Sequence, residues 1–175
     1  MAAQNVGGSV TVNVQLNQTD IAGLVAPIVG SGNAQLVNQF IAQGTGVANG
    51  IDCLYAKQLT LSAAATHINL NSFTDILGNT VAAARVRLWY LQVVTLTAGS
   101  IVNVYTRTGT NPVTWLPITT SGALWATPGG ILLGVDQNST TTNGWVVGSS
   151  ANDFTVDPGA NTVVCNLIIA GNTAA

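Results

Sequence analysis

A hydrolytic triad needs a nucleophile, a base and an orienting acid, and this chain offers one imidazole, His67, for the middle role. In Thr66-His67-Ile68-Asn69-Leu70, strand alternation sends Ile68 and Leu70 to one side and His67 and Asn69 to the other. That pattern predicts a solvent-facing or interface histidine, not a catalytic one. All six acids are Asp (Asp20, Asp52, Asp75, Asp136, Asp153 and Asp157). Four of them, Asp20, Asp75, Asp136 and Asp157, stand beside turn residues, where a short carboxylate bonds to nearby backbone, so the paired carboxylates of a glycosidase are not indicated. Asp136 and Asn138 could offer oxygen ligands to a hard cation, but no DxDxDG loop surrounds them and no metal site is expected. Phosphate-cradling glycine loops and Cys/His ligand spacings are also missing, so no cofactor is expected. Arg85 and Arg87, two apart in a strand-like run, are expected to pair with a carboxylate such as Asp75 or to cap a sheet rim. Cys53 and Cys165 each sit in an apolar run and are expected to be buried free thiols.

The aromatic residues give a stronger lead. Trp89, Trp115, Trp125 and Trp145 stand in a chain of which about a third is Asn, Gln, Ser or Thr. Sugars stack on aromatic faces and hydrogen-bond to amides and carboxylates, so a carbohydrate-binding surface module is one reading. Trp89 lies in a core-like strand and Trp145 opens the apolar run Gly144-Trp145-Val146-Val147. The candidate glycan contacts are therefore Trp115 and Trp125, which flank a loop containing Pro117, together with Asp136.

Composition narrows the classes further. Only 6% of the 175 residues are charged, against roughly 25% in an ordinary soluble domain, which argues against an enzyme. The net charge of −2 leaves no electrostatic footprint for nucleic acid. No run of about 18 apolar residues marks a membrane span. The opening MAAQNVGGSV has neither the basic nor the apolar region of a signal peptide. Net charge normally keeps monomers apart, so this chain is expected to be held by neighbours.

The elements that must carry these residues read as almost entirely β. An N-terminal arm, residues 1–43, is expected to contain a strand over 8–16 and helices over about 20–28 and 33–43. Val10, Val12, Val14 and Leu16 share one face of the strand, and Leu36, Phe40 and Ile41 form the stripe of the second helix. These seven residues are the expected assembly interface, because an apolar stripe that short is not stable alone. The glycine-rich stretch 44–50 reads as a linker, and 51–175 as the body. In the body, strands are expected at 51–62, 66–71, 84–96, 100–106, 113–117, 131–135, 144–148, 153–156 and 161–170. Residues 85–94 are apolar on both faces, as in a central strand. Asp157-Pro158-Gly159-Ala160 predicts a turn pairing 153–156 with 161–170 as a hairpin. The expected fold is all-β, a two-layer β-sandwich of jelly-roll kind with a strand-plus-helix arm.

From Gly44 onward the chain resembles a family of small tailed-bacteriophage virion structural proteins. The features that match are Gly44-Thr45-Gly46, Ile51-Asp52 with Tyr55, Leu59-Thr60-Leu61-Ser62-Ala63 with Ile68-Asn69-Leu70, and Thr74-Asp75-Ile76-Leu77-Gly78-Asn79-Thr80-Val81. Ala84-Arg85-Val86-Arg87, Pro128-Gly129-Gly130-Ile131-Leu132-Leu133 and a closing apolar strand near 163–169 complete them. The resemblance implies a non-enzymatic capsid-associated or decoration protein that binds copies of itself and other virion proteins and resides in the virion, assembled in the host cytoplasm. A tail, fibre or major capsid component is the neighbouring expectation, and a surface glycan the one small ligand.

Overall fold

The computed structural model describes residues 8–20, 28–43, 50–105, 111–116, 123–136 and 144–173, and every regular element among them is a β-strand. The N-terminal unit is an antiparallel pair, β1 (Gly8–Asp20) and β2 (Ile28–Gln43), with a register shift after Val12. Only the backbone of these two strands is described. The strand expected at 8–16 thus runs on to Asp20. Residues 33–43, expected to be helical, are strand instead. Gly30, Gly32 and Asn33 lower helix propensity ahead of the stripe, and β1 offers a hydrogen-bonding partner along most of β2, from Ile28 to Ile41. Of the helix expected over about 20–28, only the ends Asp20 and Ile28 are described, both as strand, while 21–27 and linker residues 44–49 lie outside the described residues.

The body contains β3 (Gly50–Ile51), β4 (Cys53–Ser62), β5 (Thr66–Asn69), β6 (Phe73–Thr74), β7 (Thr80–Val81), β8 (Arg85–Val93) and β9 (Val102–Tyr105). It continues with β10 (Ala123–Ala126), β11 (Ile131–Val135), β12 (Trp145–Val146), β13 (Asp153–Asp157) and β14 (Thr162–Asn172). One antiparallel sheet has the order β11-β8-β14-β4, with β12 also paired to β8, and another has the order β10-β9-β13-β5. β6 and β7 form a small hairpin whose turn is held by Asp75, its Oδ1 accepting from Leu77 N at 2.9 Å and Asn79 N at 2.8 Å. β8 is interior to its sheet, as its two apolar faces require. Of the strand expected at 113–117, residues 113–116 form none, and 117 lies outside the described residues. Val113 N instead donates to Asp153 O at 3.0 Å from a segment that only bridges β13 through Pro112.

The turn at 157–160 forms, but not as a hairpin. Gly159 takes φ +63° and donates its N–H to Asp157 Oδ1 at 2.7 Å, the conformation and side-chain bond that this sequence favours. The strands on either side then part: β13 pairs with β5 and β9, and β14 pairs with β4 and β8. Both strands have a fully buried apolar face, Phe154 and Val156 on one and Val163, Cys165 and Leu167 on the other. Each obtains ladder partners from its own sheet, so the turn carries the chain from one sheet to the other.

Inward side chains of both sheets meet in one cluster. Phe154 of β13 lies 5.7 Å, centroid to centroid, from Trp89 of β8, and 6.1 Å from Trp115, which in turn stacks on Trp145 at 5.0 Å and 10°. Phe154 is thus a contact between the two sheets.

Candidate functional site

The two sheets turn unlike faces outward. On the four-stranded sheet, register places Trp125, Asn103 and Asp157 in one row across β10, β9 and β13. Thr155 and His67 form part of the next row, and Asp153 and Asn69 a third. Alternation sets all of these opposite the buried Ile68, Val102, Val104, Phe154 and Val156. His67 is exposed, as its alternation suggested, and its Nδ1 lies 2.9 Å from the buried Thr155 hydroxyl. The carboxylates on this face hold backbone: Asp153 Oδ2 accepts from Asn111 N at 3.2 Å, and Asp157 Oδ1 fixes the sheet-changing turn. Among the described residues, no group of three or more His, Cys, Asp or Glu could hold a metal.

At one end of this face lies an open concavity of about 440 Å³, lined by Gly99, Ile101, Asn103, Trp125 and the turn residues 158–161. Trp125, 61% exposed, forms one wall. Asn161 Nδ2 donates to Gly99 O at 3.1 Å and ties the turn to the loop before β9.

The two central rows of the larger sheet's outward face carry no ionisable side chain besides Tyr90, and an open hollow of about 460 Å³ lies over them with Lys57 among its lining residues. Gln92, Asn166 and Gln58 align across β8, β14 and β4 as an amide row, with Asn166 Nδ2 donating to Gln92 Oε1 at 3.3 Å and Gln58 Nε2 to Asn166 Oδ1 at 3.2 Å. The adjoining row is Leu133, Tyr90, Ile168 and Ala56. Lys57 belongs to the opposite alternation, with its Nζ 5.3 Å from the Tyr55 ring centroid. Along β14 the inward residues are buried and Asn166 and Ile168 are half-buried. Isolated amides recurring inside apolar strands were the sequence signal for this row.

The remaining ions are structural. The buried Arg87 approaches Asp136, Nη1 to Oδ2, at 3.8 Å. Burial lowers its guanidinium pKa, with Asp136 opposing that shift and Arg85 adding to it. Leu88 pairs with Ala170 and Val86 with Gly171, so the register shift makes Arg87 the extra residue on β8, which breaks the alternation expected to align Arg85 with Arg87. Asp52 is buried and accepts from Thr173 N at 2.8 Å and Thr173 Oγ1 at 2.7 Å, closing the end of β14 onto the start of β4.

The three candidate glycan contacts therefore have different surroundings. Trp115 is half-buried against Trp145, Asp136 faces Arg87, and Trp125 alone lines the concavity. Its neighbours Ile101, Asn103 and Asn161 come from segments distant in sequence, and β10 itself was not anticipated. Of the seven expected assembly residues, Val10, Val12, Val14 and Leu16 lie on β1 opposite Gln39, Val37, Ala34 and Gly32. Phe40 and Ile41 lie opposite Ser9 and Gly8, and Leu36 falls at the register shift.

Cys53 and Cys165 are both free and fully buried. Burial, with repulsion from Asp52, pushes the Cys53 thiol up to about 12, and burial pushes Cys165 up to about 11, from an ordinary 9.0. Below pH 9 the thiols are protonated in both folded and unfolded chains and add no pH dependence. Above it the unfolded chain sheds protons that the folded one must keep, so stability falls by up to ~1.4 kcal/mol per pH unit per thiol. That loss continues toward about 11 for Cys165 and about 12 for Cys53. Urea midpoints are expected to drop between about pH 9 and 10.5, and to drop less in a Cys53→Ala/Cys165→Ala variant. Tyr55, whose pKa is also raised by burial, keeps a residual slope in that variant.

No protein-family model, curated protein or solved structure matches this chain.

Proposed function

We propose that this chain is a non-enzymatic structural protein of a virus particle, capsid-associated or decoration-like, whose body is a two-layer β-sandwich of jelly-roll kind. The observation that carries this reading is the outward face of the larger sheet, where an amide row lies beside the apolar row of Leu133, Tyr90, Ile168 and Ala56. Two rows without charged side chains, with Lys57 the one ion lining the hollow over them, let identical copies pack side by side with little charge to desolvate and little long-range repulsion. Apolar contacts there would be worth about 25 cal/mol per Å² before association costs. The exposed Leu77 and Leu96 add apolar contact points on turns. The pair β1–β2, a compact unit by itself, is the proposed assembly arm, its contact residues being Val10, Val12, Val14 and Leu16 of β1 with Leu36, Phe40 and Ile41 of β2, which strand alternation spreads over both faces in place of one helical stripe. A role in a tail, a fibre or the major shell uses the same chemistry.

Native mass spectrometry of the full chain is expected to show a defined oligomer that persists in high salt, because apolar contacts are not screened. Ile168→Lys is expected to shift it to smaller species while far-UV circular dichroism stays unchanged. A wild-type monomer overturns self-assembly. Peptide mass spectrometry of density-banded particles from the source is expected to find the chain at many copies per particle, and its absence overturns the particle role.

A further inference from the structure

We propose that the concavity beside Trp125 is a subsite for a neutral carbohydrate, a function separate from assembly and independent of that reading. Three observations converge on it. An indole 61% exposed on a short edge strand leaves a large apolar ring face in water, whereas the other three tryptophans are buried or packed against partners. The same hollow holds two carboxamides, Asn103 directly across the ladder from Trp125 and Asn161 on the sheet-changing turn. No lining residue is ionisable.

These features match a pyranose better than the alternatives. The C–H face of a sugar ring carries partial positive charge and is drawn to the negative face of an indole quadrupole. Its hydroxyls alternate as donors and acceptors, which suits carboxamides that present both. A phosphate or carboxylate ligand would find no cation in the lining, and a purely apolar ligand would offer nothing to the Asn103 amide or to the Asn161 carbonyl oxygen. The volume, about 440 Å³, lies within the ~300–1,000 Å³ common for small-ligand sites.

The subsite is also braced. Asn161 is tied to Gly99 O through its Nδ2 at 3.1 Å, so its side chain is fixed between the turn and the loop, which both line the hollow. Asn103 is held in the interior strand β9, flanked by β10 and β13. A shelf carried on paired strands positions its groups more firmly than one carried on loops alone.

The test is a glycan array probed with the full chain, together with Trp125→Ala, Trp125→Phe and Asn161→Ala. Matched circular dichroism and thermal melting would establish that each variant folds, as exposed positions predict. The expected result is that wild type retains a set of neutral glycans, that Trp125→Ala and Asn161→Ala each weaken binding about tenfold or more, and that Trp125→Phe retains part of it. With 5-fluorotryptophan incorporated, a retained glycan is expected to move one fluorine resonance, the one missing in Trp125→Phe. The inference is overturned if no neutral glycan is retained, or if retention is the same in Trp125→Ala. It is equally overturned if the resonance that moves belongs to another tryptophan.

Discussion

Replacing Phe154 with alanine is expected to lower the free energy of unfolding by about 4 kcal/mol, the middle of the range for truncating a buried aromatic. Phe154 is fully buried on β13, and its ring faces Trp89 of the other sheet at 5.7 Å and Trp115 at 6.1 Å. Alanine would remove the transfer energy of the ring and leave a cavity between two indoles that cannot collapse into it, because each is held by its own contacts. Phe154→Leu, which keeps most of the volume, is expected to cost about 1–1.5 kcal/mol. Urea unfolding followed by tryptophan fluorescence measures both. A cost of about 1 kcal/mol or less for alanine would mean that this ring does not bridge the sheets.

Gly171→Ala is expected to cost about 3 kcal/mol, an unusually large penalty for one added methyl. Gly171 lies in β14 at the register shift, with β4 on one side and β8 on the other. A Cβ there would collide with the backbone carbonyl oxygen of Arg85. The glycine cannot retreat, because its own carbonyl accepts from Asp52 N at 3.0 Å on the far side. Nor can Arg85 move freely, since Ala84 N donates to Asn172 O at 2.8 Å beside it. Gly148→Ala is the control: nothing lies within 4 Å of its Cβ position, and its expected change is within about 0.5 kcal/mol. Equal midpoints for the two variants would show that the shift accommodates a side chain.

Strand identity was legible in several places where apolar alternation met turn residues, though β10 was missed and residues 113–116 form no strand. Ile131–Val135, following Pro128-Gly129-Gly130, matches its expected bounds, and Asp153–Asp157 extends its own by one residue. Pairing was not legible, because alternation says which face is buried and nothing about which strand lies beside it. The turn at 157–160 therefore suggested a hairpin when its two strands belong to different sheets. The stripe at Leu36, Val37, Phe40 and Ile41 suits a helix by spacing alone, and only a long partner such as β1 distinguishes the outcomes. At the candidate site, the exposure of Trp125 was expected from its place beside the loop containing Pro117. Its association with Asn103 and Asn161 depends on the stacking of β10, β9 and β13, which no local pattern encodes.

The sheet-changing turn also orders events in time. β14 stands between β4 and β8, so those two strands, made much earlier, have no direct ladder to each other. On a ribosome adding ~5–20 residues per second, they emerge with open edges and wait for a partner about 70 to 120 positions downstream. Such edges invite pairing between chains, and a nascent chain this poor in charge has little repulsion to prevent it. The body thus folds after synthesis has passed β14, and chains interrupted before residue 162 are expected to be the aggregating species in any expression experiment.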